Sequence, residues 1–307
     1  MRIDVHAHFV PESCPDLASN SIGLGPSANM RDSMSDLGVR MHDMAERGID
    51  VALISTPPWL ANSEPETARR VNDATAEAIA PHRDRFTGLA TLPMQEPEAA
   101  TAELERCVRE LGFVGAEILT NVRGENLDQP RFAPFYRKMQ ELDVPVFVHP
   151  ANVLAARDRL ASHFLGNLIG NPTDTAVAAA SLIFGGVLKE MPSLKFVLAH
   201  GGGTCPLLRG RWEHGWRMKL VESALIDRPP SEYFRLLYFD SLTHSVPALN
   251  YLVETVGYDR VMLGSDYPFG MGDFTPPVSV EALPHLSDAQ RDAIFSGNAI
   301  RVFGLDL

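Results

Sequence analysis

Short runs of β-branched and apolar residues recur along this chain with helix-like segments between them, and that alternation restricts its fold more than any other feature. Read as strands, the runs are Arg2–His8, Val51–Thr56, Phe86–Leu92, Gly115–Thr120, Val144–His149, Lys195–His200, Leu237–Asp240 and Val261–Ser265. Several, such as Val144-Pro-Val-Phe-Val148 and Lys195-Phe-Val-Leu-Ala199, are nearly continuous apolar stretches, which suits parallel strands covered on both faces. The segments between carry helix punctuation. Asp36 opens one and Gly48 ends it, while Glu64-Pro-Glu-Thr67 and Glu96-Pro-Glu-Ala99 place proline in a first turn and start helices reaching about His82 and Gly112. Further helices are expected over Pro130–Leu142, Asp174–Met191, Pro206–Leu220, Pro247–Val256 and Ser287–Phe295. Eight such units in 307 residues predict an α/β fold, a single (β/α)8 TIM barrel spanning 1–307 as one domain. A doubly wound sheet is the weaker reading, because no Gly-x-Gly-x-x-Gly joins a strand to a helix. The added length falls in insertions after strands one, five and six: Phe9–Ser35, Ala151–Thr173 and Gly201–Phe234. All three lie on the side where barrel enzymes keep their chemistry.

Composition removes several classes of function. Lys and Arg number 27 against 39 Asp and Glu, a net charge of −12, so the basic footprint of a nucleic-acid binder is absent. An anionic membrane surface would repel such a chain, and its longest apolar stretch, Ala176–Leu188, is too short to span a bilayer. Asp4, His6 and His8 interrupt the apolar run after Arg2, where a secretory signal needs an unbroken one. The three cysteines, Cys14, Cys107 and Cys205, are distant from one another and odd in number, which points to a reducing cytoplasm instead of a disulfide framework.

Metal-binding residue types gather at the expected strand ends. His6-Ala7-His8 closes strand one, where side chains two apart share a face. His149 closes strand five, His200 closes strand six ahead of three glycines, and Asp266 follows strand eight. A lone His-x-His is usually surface decoration, and a lone strand-end His or Asp is often only a hydrogen-bonder. Coincidence at four strand ends of a barrel, whose topology brings those ends to one mouth, argues for a metal site. Nitrogen ligands with one carboxylate suit Zn²⁺ or another first-row divalent ion, with a position open to water or substrate.

These stretches, His6-Ala-His8, His149, Leu198-Ala-His-Gly-Gly-Gly203 and Gly264-Ser-Asp-Tyr-Pro-Phe269, resemble the amidohydrolase superfamily. More narrowly they resemble its branch of aminocarboxymuconate-semialdehyde decarboxylase and the metal-dependent aromatic-acid decarboxylases. The likeness extends to Leu92-Pro-Met-Gln95, Gly185-Gly-Val-Leu188, Gly210-Arg-Trp-Glu-His-Gly215 and Gly297-Asn-Ala299, covering almost the whole chain. The resemblance implies a mononuclear metal held by His6, His8, His149 and Asp266, with His200 beside it as catalytic acid/base, and it implies a homodimer. Binuclear members bridge two metals through a carboxylated lysine at the end of strand four. Here that strand reads Gly115-Ala-Glu-Ile-Leu-Thr120, so a single metal is expected. The chain departs from the branch in its first insertion, where Ala28 stands for an arginine that grips a substrate carboxylate and Arg31 follows three residues later. After strand five, Asn167 stands where the branch has an aromatic residue.

Two reaction classes fit this equipment. In a carboxy-lyase the metal chelates a small unsaturated or aromatic acid, an imidazole able to exchange protons near neutrality delivers one, and CO₂ leaves. In a hydrolase or hydratase, metal-activated water attacks a lactone, amide or double bond, and Asp266 or His200 takes the proton. A non-catalytic binding barrel would require an incomplete ligand set. The close motif matches favour the lyase. Arg31, Trp59, Asp240 and His244 are the candidates for contact with a small carboxylate substrate.

Overall fold

The computed structural model describes residues 1–18, 30–151, 153, 157–221 and 225–307. Eight parallel strands follow one another in chain order around the sheet: β1 (Ile3–His8), β2 (Val51–Ser55), β3 (Phe86–Thr91), β4 (Gly115–Leu119), β5 (Val146–His149), β6 (Phe196–Leu198), β7 (Tyr238–Asp240) and β8 (Val261–Met262). The main helices are α1 (Leu37–Arg47), α2 (Pro65–Ile79), α3 (Pro97–Arg106), α4 (Ala133–Leu142), α5 (Asn171–Phe184), α6 (Cys205–Arg217), α7 (Val246–Val256) and α8 (Asn298–Phe303). Their ends follow the expected chemistry: the Asp36 carboxylate caps the N–H groups of Gly38 and Val39, and the Gly48 N–H closes the other end of α1 on Ala45 and Met44.

Outward-facing residues such as Ile54, Ala90, Val148 and Phe196 pack under the helices, while Val51, Leu53, Leu89, Phe147 and Met262 fill the barrel. β8 is shorter than the expected Val261–Ser265. Past Met262 the backbone leaves the ladder with β7 and crosses to β1, where Val5 N–H donates to Leu263 O (2.9 Å), Asp266 N–H to His6 O (2.7 Å) and His8 N–H to Tyr267 O (2.7 Å). These bonds, with a parallel bridge between Ala7 and Tyr267, join the first and last strands into a nearly closed barrel.

Two expectations need correction. The Asp174–Met191 helix is two, α5 and a short Val187–Glu190 turn, because the Gly185-Gly186 pair interrupts it. The Gly201–Phe234 insertion after strand six is not one strand-to-helix connection. α6 starts at Cys205, soon after β6, because the Gly201–Gly203 turn reverses the chain within a few residues, so most of the added length follows α6 and includes the Pro230–Phe234 helix. No helix among the described residues is long and apolar enough to cross a membrane.

Candidate metal centre

Ordinary alternation along β1 would put Ile3, Val5 and Ala7 on one face and His6 and His8 on the other. The register breaks that pattern: Ile3 pairs with Val51 and Asp4 with Ala52, but the next pairs are Ala7 with Ile54 and His8 with Ser55. The extra residue forms a bulge, so Ile3 and Val5 pack inside the barrel and His6 and His8 also point inward, toward the mouth. Asp4 supports the bulge by accepting the His6 N–H at 3.0 Å.

His6, His8, His149 and Asp266, all buried, each offer one ligand atom within 4.8 Å of the others. The three Nε2 atoms surround Asp266 Oδ1, at 3.2 Å from His6, 3.0 Å from His8 and 3.8 Å from His149. His200 lies beside them, its Nε2 3.5 Å from Asp266 Oδ2 and its side chain 19% exposed. His200 and Asp266 both hold left-handed backbone, at φ 56° and 61°, strain of a kind that concentrates at working sites.

Surrounding groups orient these rings. His6 Nδ1–H donates to Asp240 Oδ2 at 2.7 Å, which turns Nε2 toward the cluster. His8 Nδ1 lies 3.2 Å from both Thr56 O and Ser55 Oγ, and Ser55 donates to the buried Glu117 at 2.7 Å. Asp240 also accepts from the His200 and Gly201 N–H groups at 2.9 and 2.7 Å. Gly264 lets this layer close up, since a Cβ there would meet Asp240 Cβ at 2.8 Å. The three glycines after His200 have φ of 61°, 76° and 60°, and a Cβ on Gly203 would sit 2.2 Å from Pro172 O.

The donor set fits a divalent cation. His6 Nε2 and both His149 ring nitrogens are buried without a hydrogen-bond partner, as imidazoles facing an ion would be. Burial pushes His149 well down, helped by the neighbouring imidazoles, which favours the neutral ring with one nitrogen lone pair free. Burial would lower His6 too, but Asp266 and Asp240 outweigh it and push its pKa up to about 10. Burial would raise Asp266, yet His6, His149 and His200 keep it well below the usual carboxylate range. The two carboxylates that raise His6 set up a field that would favour a metal dication in the same place.

Above the cluster opens a cavity of 620 Å³ lined by Trp59, Phe164, Asn167, Leu168, Asn171, Phe269 and Met271, with His149, His200, His244 and Asp266 in its wall. Of the candidates for substrate contact, Trp59 and His244 line this cavity. Asp240 does not: it is fully buried and engages His200 through the backbone, because its oxygens are occupied by His6 and the turn after β6. Ala28 and the Arg31 side chain lie outside the described residues. The sequence reading missed Asp4, Ser55, Asn171 and Phe164, which carry no motif, and gave Phe269 no role beyond the stretch it ends. The alternation that placed His6 and His8 together gave no sign of the bulge.

The chain belongs to the amidohydrolase family (Amidohydro_2), whose pattern matches residues 3–305. It is 33% identical over 333 residues to the 2-amino-3-carboxymuconate-6-semialdehyde decarboxylase of Dictyostelium discoideum, covering 100% of this chain and 92% of that one. It is 32% identical to the gamma-resorcylate decarboxylase of Rhodococcus jostii (strain RHA1), covering 99% of each. Among solved structures it superimposes with a TM-score of 0.83, at 31% identity and over 99% and 97% of the two chains, on a dihydroxybenzoic acid decarboxylase of Polaromonas sp. JS666 with bound manganese and the inhibitor 2-nitroresorcinol.

Proposed function

We propose that this protein is a metal-dependent, non-oxidative carboxy-lyase acting on a small aromatic or unsaturated carboxylic acid. The observation that carries the reading is the convergence of three inward imidazoles and Asp266, with unpartnered buried nitrogens, at the floor of an aromatic-walled cavity that His200 borders. The three relatives described above are decarboxylases by name, which supports it. His6, His8, His149 and Asp266 would hold one divalent ion, Zn²⁺ by the character of the donor set, with Mn²⁺ the alternative that the Polaromonas structure suggests. Such an ion supplies Lewis acidity to chelated carboxylate and phenol oxygens.

The chain's own residues account for the remaining chemistry. His200 Nε2–H delivers a proton to the carbon that bears the carboxylate. A C–H bond forms there, the C–C bond to the carboxylate breaks, its electron pair restores the π-system, and CO₂ leaves. His200, partly exposed, regains its proton from solvent. Trp59, Phe164, Leu168 and Phe269 hold the ring and keep water away, while Asn167, Asn171 and His244 offer polar groups to its substituents. Arg31 is the first-insertion candidate for gripping a carboxylate. A cytoplasmic single-domain barrel that pairs with a second copy completes the proposal, and three buried free thiols accord with that compartment.

The test is to incubate Zn²⁺- and Mn²⁺-loaded protein with hydroxybenzoates, muconate semialdehydes and lactones while following CO₂. Release of one CO₂ per acid consumed is expected. Turnover of lactones, with no acid losing CO₂, would replace this reading by the hydrolase one.

A further inference from the structure

The ligand-bearing backbones meet along the seam between β1 and the segment after β8, and two buried charged side chains sit behind that seam, on the helix side. Asp4 Oδ1 accepts the His6 N–H and the Ser265 N–H, each at 3.0 Å, and Oδ2 accepts the Ser265 hydroxyl at 2.5 Å. One carboxylate thus fastens His6, on one side, to the residue preceding Asp266 on the other. Arg40 repeats the arrangement a step further along. Its Nη2 donates to the His8 carbonyl and to Ser33 O (3.1 Å), and its guanidinium carbon lies 4.6 Å from the Tyr267 ring centroid. The His8 N–H in turn donates to Tyr267 O at 2.7 Å, so His8, Arg40 and Tyr267 close a cycle of contacts next to Asp266. The same helix α1 holds Tyr267 twice more, through Asp43, which accepts its hydroxyl at 2.5 Å, and through Arg47, 4.2 Å from its ring centroid.

Arg40 is only 1% exposed, and its direct partners are carbonyl oxygens and aromatic rings. Its Nε finds no partner at all. Burying a guanidinium in such company is costly, and a methionine would fill the space without that cost. Apart from the Ser33 carbonyl, the contacts that offset the cost lead to the two chain segments carrying His8 and Asp266.

We propose that Asp4 and Arg40 are positioning residues of the metal centre: gripping the backbone on both sides of the seam from behind, they set the spacing of His6, His8 and Asp266 without touching substrate or ion. The inference rests on the reading of that cluster as a metal site.

The experiment titrates ion-free protein with Co²⁺, taking affinity from competition with a chelator and ligand geometry from the visible absorption bands. Arg40→Met is expected to weaken Co²⁺ binding about 10- to 100-fold and to shift or weaken the bands. Arg40→Lys, which keeps a charge and one donor for the His8 carbonyl, should fall between it and the wild type. Ser265→Ala, which removes one of the bonds to Asp4, should move the bands in the same sense by less. Glu103→Gln, remote from the centre, should lower thermal stability but leave affinity and spectrum unchanged, which separates positioning from general destabilisation. Wild-type affinity and spectrum in folded Arg40→Lys and Ser265→Ala would overturn the proposal while leaving the metal reading intact. Absence of Co²⁺ binding by the wild type would remove both. Should Arg40→Met fail to fold, Arg40→Lys and Ser265→Ala decide by the same measurements.

Discussion

His8 and His200 are both imidazoles at strand ends, yet their surroundings fit them for different work. The His8 ring is buried with Nδ1 beside Thr56 O and Ser55 Oγ, leaving Nε2 to face the cluster. His200 stands at its edge and borders the cavity. His8→Ala is therefore expected to lose bound metal by elemental analysis. His200→Ala should retain metal and lose about 10²- to 10⁴-fold in CO₂ release, the usual range for general acid–base catalysis. Equal metal loss in the two variants would make His200 a ligand. Asp240 acts through His6: Asp240→Asn keeps the shape but removes the charge that fixes the ring, and metal affinity should fall by about 10- to 100-fold in a chelator competition.

At the scale of the elements, local networks hold the strand ends at the mouth. Asn72 on α2 bonds both backbone groups of Thr91 at the end of β3 and donates to Glu103 on α3 at 2.8 Å. Arg106 grips Glu103 with two bonds of 2.9 and 2.7 Å. Burial would raise the Glu103 carboxyl, but Arg106 and Asn72 outweigh it and hold it below the usual value of 4.5. A carboxyl lowered on folding stabilises the native state above its unfolded pKa and ceases to do so as pH falls through the folded one. Glu103→Gln should thus cost about 1.5–3 kcal/mol at pH 7 in urea unfolding, with the gap to wild type closing below about pH 4. A gap independent of pH would show that the carboxylate charge is not the source. Gly264→Ala forces a Cβ to within 2.8 Å of Asp240 and 3.1 Å of His6, so metal content should fall together with stability.

On the scale of the whole molecule, the candidate centre straddles the join between the two ends of the chain. His6 and His8 belong to the first strand and Asp266 follows the last, with His149 facing them from β5. An ion bound there would cross-link the seam that three backbone bonds and one bridge otherwise close. Binding to the native state alone stabilises it by about 2.7 kcal/mol when free ion is at 100 times its dissociation constant. Exhaustive chelation should accordingly lower the thermal midpoint by several degrees, and restored Zn²⁺ or Mn²⁺ should recover it together with CO₂ release. Full activity after chelation, with an unchanged midpoint, would contradict the metal reading.

Sequence alone determined the order of strands and helices, because buried parallel strands must be apolar throughout and helix ends must satisfy their free N–H and C=O groups with recognisable caps. It also placed His6, His8, His149, His200 and Asp266 near strand ends, since a barrel leaves few positions where polar side chains can interrupt an apolar strand. Tertiary structure decided the rest. The β1 bulge that turns His6 inward is a matter of register against β2, and neither strand encodes register by itself. Asp4 and Arg40 look like ordinary charged residues until folding carries them to the seam beside the ligands, and Asp240, a candidate substrate contact in the sequence, instead holds His6 and the turn after β6. The cavity wall of Trp59, Phe164, Asn171 and Phe269 comes from three separate connections, and only the closed barrel sets the distances between them.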